Sequence, residues 1–265
     1  VTTPSGTHDG VILAVQGLSG GVGATTLAVN LAWELASIDK KSPRKVCLID
    51  LDLQMGSVST FLDLPRREVI YELLSDTEAM DVDAFKGGLV SYEDKLQVFT
   101  APYDMLPLDL VGPEDIARVL DMAKSNFDYV VVDMPSTVVQ WTETVLTAAH
   151  VFFAPLELDM RSAQNALRFI RALKAEDLPV EKLRFVLNRA PKFTDLSGKS
   201  RVKRLADSLD IKIDVQLSDG GKQVVQACDH GTPLAASAAK SPLRKDIQKL
   251  AKSVNDVNDA AEAAA

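Results

Sequence analysis

A chain of 265 residues, 46% hydrophobic and 25% charged, has the composition of an ordinary globular protein and length enough for one large α/β domain or two small ones. Its net charge of −8 argues against a surface built mainly for nucleic acid. No apolar run reaches the ~20 residues of a membrane helix, and Cys47 and Cys228 lie too far apart to suggest a disulfide framework or thiolate metal site, so a cytoplasmic protein without direct membrane insertion is expected.

The first ten residues, "VTTPSGTHDG", are polar and lack the basic-then-apolar order of a signal peptide, so residues 1–10 are expected to be disordered. Their Val start is that expected of a piece of a longer protein. Apolar runs then predict strands over residues 11–17, 45–53, 96–102, 129–135, 151–158, 183–189 and 211–217. Runs such as "VVVD" show no polar alternation, which predicts parallel strands buried on both faces. Between them, apolar spacings of three and four predict helices over 26–38, 113–125, 162–175 and 200–209. The tail repeats that spacing at Leu243, Ile247, Leu250, Val254 and Val257 with no aromatic residue. This predicts a helix packed on its own domain, with residues 251–265 forming its end and a frayed tail. Strand–helix alternation over 11–250 predicts one α/β domain, a doubly wound, mostly parallel sheet with helices on both faces. Ligands of such a sheet bind at the carboxyl ends of its strands.

The first predicted strand runs into "LSGGVGATTLAVNLAWELA". Strand, glycine-rich turn and helix form the context of a phosphate-binding loop. Gly20, Gly21 and Gly23 let the backbone turn its N–H groups inward, with Val22, Ala24, Thr25 and Thr26 completing the cradle at a helix N-terminus. Thr25 stands where a hydroxyl would meet Mg²⁺. In "LIDLDLQ", Asp50 and Asp52 are two apart on a strand and are expected to face one site, Asp50 towards the metal and Asp52 towards an attacking water. Asp133, ending the strand in "YVVVDMPS", supplies a third carboxylate behind the metal. Singly, each aspartate reads better as a helix cap or a solvated strand end; three at strand ends beside such a loop point to the metal.

Together "SGGVGATT", "LIDLDLQ", "YVVVDMPS" and "VLNR" resemble the deviant phosphate-loop (P-loop NTPase) family of MinD and ParA. "CLIDLDLQMGSVSTFLDL" and "ELDMRSAQNALRFIRAL" are similar to its pilus-assembly branch, that of CpaE and TadZ. The resemblance covers residues 11–250. It implies a homodimer binding ATP or ADP with Mg²⁺, in which Asn188 meets the adenine edge and Asp219 belongs to the segment closing over the purine. It also implies pilus-assembly and secretion ATPase components as partners, a location at a cell pole or the inner-membrane face through them, and an upstream receiver-like domain.

The family motif carries two lysines, and this chain has Ser19 and Ala24 in their places. Each lost charge-assisted hydrogen bond is worth ~1.5–3 kcal/mol, so binding is expected to survive weakened while hydrolysis is slow or absent. Arg161 is a basic residue that could substitute. Two alternatives stay open: an active ATPase positioning DNA or protein, with Lys199, Arg201, Lys203 and Arg204 as the basic cluster, and a scaffold that binds no nucleotide. The acidic net charge disfavours DNA as a partner. An iron–sulfur relative would need bridging cysteines, which Cys47 and Cys228 do not supply.

Overall fold

The computed structural model describes residues 9–39, 41–192 and 194–264. The chain opens with β1 (Val11–Gln16), α1 (Ala24–Ala36), β2 (Val46–Asp50), α2 (Val58–Phe61), α3 (Val69–Ser75) and α4 (Val82–Gly88). Next come β3 (Val90–Tyr92), β4 (Leu96–Phe99), α5 (Pro113–Lys124), β5 (Tyr129–Met134), α6 (Thr142–Ala148), β6 (Val151–Leu156) and α7 (Met160–Ala175). A 3-10 turn at Val180–Lys182 leads into β7 (Leu183–Leu187), α8 (Leu196–Leu209), β8 (Ile213–Gln216), α9 (Gly221–Asp229), α10 (Leu234–Ser237) and α11 (Pro242–Ala264).

The strands form one sheet in the order β3-β4-β2-β5-β1-β6-β7-β8, parallel except at the β3 edge. Every residue of β2 and β5 is buried, as the unalternating runs require, because helices cover both faces. One core packs α3 to α8 against the sheet, and the other packs α1, α2 and α9 to α11. All seven expected strands are present; β3, α2 to α4, α6, α9 and α10 are additional, none longer than nine residues.

Two expectations are corrected. Asp52 is not on a strand: β2 ends at Asp50 and the chain turns, with Asp52 Oδ1 accepting from Met55 N (3.0 Å) and Asp52 O from Gly56 N (2.7 Å). A short polar side chain that can satisfy its own turn ends the ladder there. The tail expected to be irregular is part of α11, which is helical to Ala264; along it Arg44 pairs with Asp259 and Tyr129 Oη donates to Asn255 Oδ1 (3.1 Å). At the other end, the expected disorder falls mostly on residues 1–8, outside the described residues, while Gly10 N donates to Lys124 O (3.0 Å).

α11 packs on its own domain as the tail pattern predicted, and its partner is α1, met through Leu243, Ile247 and Ala251. Beneath that contact Arg244 donates through Nε and Nη2 to the buried Glu34, at 2.6 and 3.1 Å. Asn30 on the same helix accepts from Leu234 N (2.7 Å). The helix that starts at the glycine-rich loop is therefore held by the C-terminal segment at two buried polar points.

Candidate functional site

The glycine-rich loop lies where β1 gives way to α1, at the carboxyl edge of the sheet. Gly21 and Gly23 have φ of +77° and +87°, in the left-handed region that side chains disfavour. At Gly23 a side chain is excluded twice over: an added Cβ would lie 2.6 Å from Asn188 Nδ2. That amide donates to Val22 O at 2.8 Å, so Asn188 braces the loop from behind. Gly23 thus enters α1 without a side chain, at the end of a helix whose first N–H groups have no intrahelical acceptor.

Beside it, Asp50 and Asp133 are register partners on β2 and β5. Asp50 is fully buried: Oδ1 accepts from Asp52 N (3.2 Å) and Oδ2 from Val58 N (3.1 Å). Burial pushes its pKa up to about 7, and the charge of Asp52 adds to the rise against the Val58 N–H. Burial, with the nearby Asp50 carboxylate, likewise raises Asp133 well above the usual range, and the Thr25 hydroxyl opposes the rise by hydrogen bonding to it. Asp133 Oδ1 is buried with no hydrogen-bond partner among the described residues, and so are Gln16 Oε1 and Thr100 Oγ1 at the ends of β1 and β4. A buried polar atom left unpaired costs free energy unless a hydrogen-bond partner or, for a carboxylate, a cation serves it.

This donor set fits Mg²⁺ held jointly with phosphate. Among the described residues no three His, Cys, Asp or Glu side chains form a metal cage, and Mg²⁺ needs none, because it is commonly bound by one or two carboxylates, water and phosphate oxygens. Thr25, Asp50 and Asp133 are brought together here. Asp52 is nearby but half-buried, its side chain engaged in the turn.

On the far side of α1 is a cavity of about 450 Å³, lined by Gly23, Thr26, Asn188, Asp219, Lys222 and Leu243 among others. Its size suits a nucleoside. The predicted Asn188 and Asp219 meet here, Asp219 exposed at the rim with Oδ1 accepting from Gly221 N (3.0 Å). The rim is anchored to α11, since Asp246 accepts from the backbone and hydroxyl of Ser218 at 2.9 and 2.6 Å.

Ser19 and Ala24 leave the loop without a lysine. Ser19 is buried with Oγ 3.5 Å from Ser162 Oγ, facing its own α7. Ala24, the first residue of α1, is half-buried in the core. Arg161 is exposed beside Asp159 at 4.0 Å. A basic residue that spacing did not reveal, Arg66, lowers the Asp50 pKa and holds the surrounding loops by donating to Gly56 O (2.5 Å) and Pro102 O (3.1 Å). Nothing local marks Arg66 in "LPRREV"; Gln16, at the end of the first predicted strand, could have been noted as a polar residue closing an apolar run.

A family model described as AAA domain matches residues 10–179. The septum site-determining protein MinD of Bacillus subtilis is 26% identical over 230 residues, 85% of this chain and 82% of that protein. Among solved structures, a ParA family ATPase from Chlorobium tepidum superposes with a TM-score of 0.81 at 18% identity, covering 91% of this chain and 97% of that one. MinD from Pyrococcus horikoshii, complexed with Mg-ADP, gives 0.74 at 18% identity, covering 94% and 97%. With a phosphate-loop turn opening α1, carboxylates at the adjoining strand ends and this sheet order, the chain belongs to the AAA-domain family and has the fold of the MinD/ParA superfamily of ATPases.

Proposed function

We propose that the protein is a nucleotide-binding dimeric switch or scaffold that takes ATP or ADP with Mg²⁺ and turns over slowly or not at all. Gly20 to Thr26 cradle the phosphates through backbone N–H groups. Thr25, Asp50 and Asp133 hold the metal, which when bound supplies positive charge against the terminal phosphate oxygens. Asn188 and Asp219 border the base, in a cavity of nucleoside size. Asp52, although half-buried in its turn, is the carboxylate nearest the place of an attacking water.

The observation that carries this reading is the pairing of a glycine-rich cradle with two buried carboxylates, one oxygen of Asp133 having no partner among the described residues, in a loop without its lysines. Phosphoryl transfer depends on positioning and on neutralising charge as the bond breaks. The cradle and carboxylates retain what binding needs, whereas Ser19 and Ala24 remove the charges that turnover needs. In the resemblance to the pilus-assembly branch, the dimer recruits pilus and secretion ATPase components and is located through them.

Calorimetric titration with ATP and Mg²⁺, with released phosphate followed in the same cell, tests the reading. Micromolar binding without release is expected. Absence of heat up to millimolar nucleotide overturns nucleotide binding, and rapid release overturns the scaffold.

A further inference from the structure

α7 and α8 lie side by side on one face of the sheet and run in the same direction, each following a parallel strand. α7 carries Arg161, Arg168, Arg171 and Lys174 and no acidic residue; α8 carries Lys199, Arg201, Lys203 and Arg204 against Asp207 alone. All eight cations are exposed. Their concentration on two helices of a chain of net charge −8 makes the rest of the surface strongly acidic.

Most of this charge is unneutralised. Arg161 faces the N-cap Asp159, and Arg201 donates to Leu158 O at 3.1 Å. Arg168, Arg171, Lys174, Lys203 and Arg204 have no carboxylate within ion-pair distance among the described residues. Along α7 the arginines fall at steps of seven and three, and on α8 Arg201 and Arg204 are three apart, so each helix carries a stripe of like charge that weakens it slightly. An acidic ligand lying along the stripes relieves that repulsion.

The same face has an apolar end. Met160 and Leu196, the first residues of α7 and α8, are 73% and 78% exposed. Both helices start at the carboxyl edge of the sheet, so the two apolar side chains stand at one end of the basic stripes. A DNA backbone makes little use of an exposed methionine and leucine. A protein segment carrying carboxylates and one or two apolar anchors matches both parts of the face.

We propose that the α7–α8 face is a docking site for an acidic amphipathic segment of a partner protein, seated with its carboxylates along the arginine and lysine stripes and its apolar residues on Met160 and Leu196. The inference names the partner chemistry for the scaffold proposed above and rests on that reading for its purpose, although Arg168 and Arg171 lie further along α7 than Ser162 and Asn165, which touch the glycine-rich loop.

The test uses fluorescence anisotropy of the full chain with a labelled helical peptide of alternating Glu and Leu faces, alongside an unlabelled 30-base-pair DNA duplex as competitor. Saturable peptide binding is expected to weaken on the order of tenfold or more in R168E/R171E and in M160A/L196A, while ATP affinity stays at its unsubstituted value. Peptide binding unaffected by either pair, or absent, overturns the docking site. Tighter binding of the duplex, weakened by the charge reversal but not by M160A/L196A, overturns it in favour of nucleic acid. Salt-sensitive self-association that excludes the peptide overturns it in favour of the chain's own acidic surface. Loss of ATP binding by the unsubstituted chain strikes at the nucleotide reading and leaves this result standing.

Discussion

Asp50 and Asp133 sit directly across from one another on neighbouring strands, both buried, with one oxygen of Asp133 unpaired among the described residues. Such a pair is a liability in an empty site and an asset when a dication is bound. Asp133→Asn removes the repulsion and is expected to raise the Tm of the nucleotide-free protein by about 2–4 °C, the shift that ~1 kcal/mol gives a domain of this size. The same change should lower Mg²⁺-dependent ATP affinity at least about tenfold, since a metal-facing charge is lost. Thermal melts in EDTA and titrations with Mg²⁺ read the two effects separately, and a fall in both would refute the trade.

The loop has one glycine that tolerates a methyl and one that does not. A Cβ at Gly20 meets nothing within 4 Å, whereas at Gly23 it collides with the Asn188 amide at a φ of +87°. Gly23→Ala should cost at least about 1–2 kcal/mol for the left-handed backbone alone and abolish nucleotide binding. Gly20→Ala should leave stability unchanged within ~0.5 kcal/mol. Denaturant titration of both variants distinguishes a loop held in shape by Asn188 from one that merely turns.

Ala24→Lys restores the family's cis lysine. A charge-assisted hydrogen bond of ~1.5–3 kcal/mol should tighten ATP binding roughly tenfold to a hundredfold and bring phosphate release within detection. A cation in the first turn of a helix opposes the dipole, so the nucleotide-free variant should melt slightly lower than the unsubstituted chain and higher once ATP is present. Unchanged affinity would mean that the lysine position no longer faces the phosphates.

Burial holds the Glu34 pKa above its ordinary 4.5, while Arg244 pulls it back. An acid whose folded pKa is raised gives its full contribution below the unfolded value and loses it as pH rises through the folded one. Arg244→Met strips away both lowering influences, so the destabilisation should be least below about pH 4.5 and grow towards neutrality, reaching about 3–5 kcal/mol. The double variant E34Q/R244M, which leaves no buried charge, should recover much of that loss and flatten the pH dependence. Chemical denaturation of both variants at several pH values reads this directly.

The parallel strands were legible because a buried strand announces itself as an unbroken apolar run, as in "VVVD". The phosphate loop was legible because its glycines answer a local backbone demand. Asp52 was misplaced because its turn is made by its own side chain, a competition between ladder and turn that a period of two does not reveal. Arg66 and the bracing role of Asn188 were hidden for another reason: each acts on a segment brought near only by the fold, Asn188 reaching back to Val22. The segment holding α2 to α4 and β3 consists of elements too short to show a period.

The family match ends at residue 179, yet Asn188, Asp219 and Leu243 line the nucleoside-sized cavity. In the proposed reading, the phosphate end of the site is made by the first half of the chain and the base end by the last third. A ligand spanning both would act as a staple between two distant parts of the sequence, adding to the links that Arg244 and Leu234 already make to α1. Its release would loosen the C-terminal segment first, so occupancy of the loop would be readable at the opposite end of the chain as resistance of α11 to proteolysis.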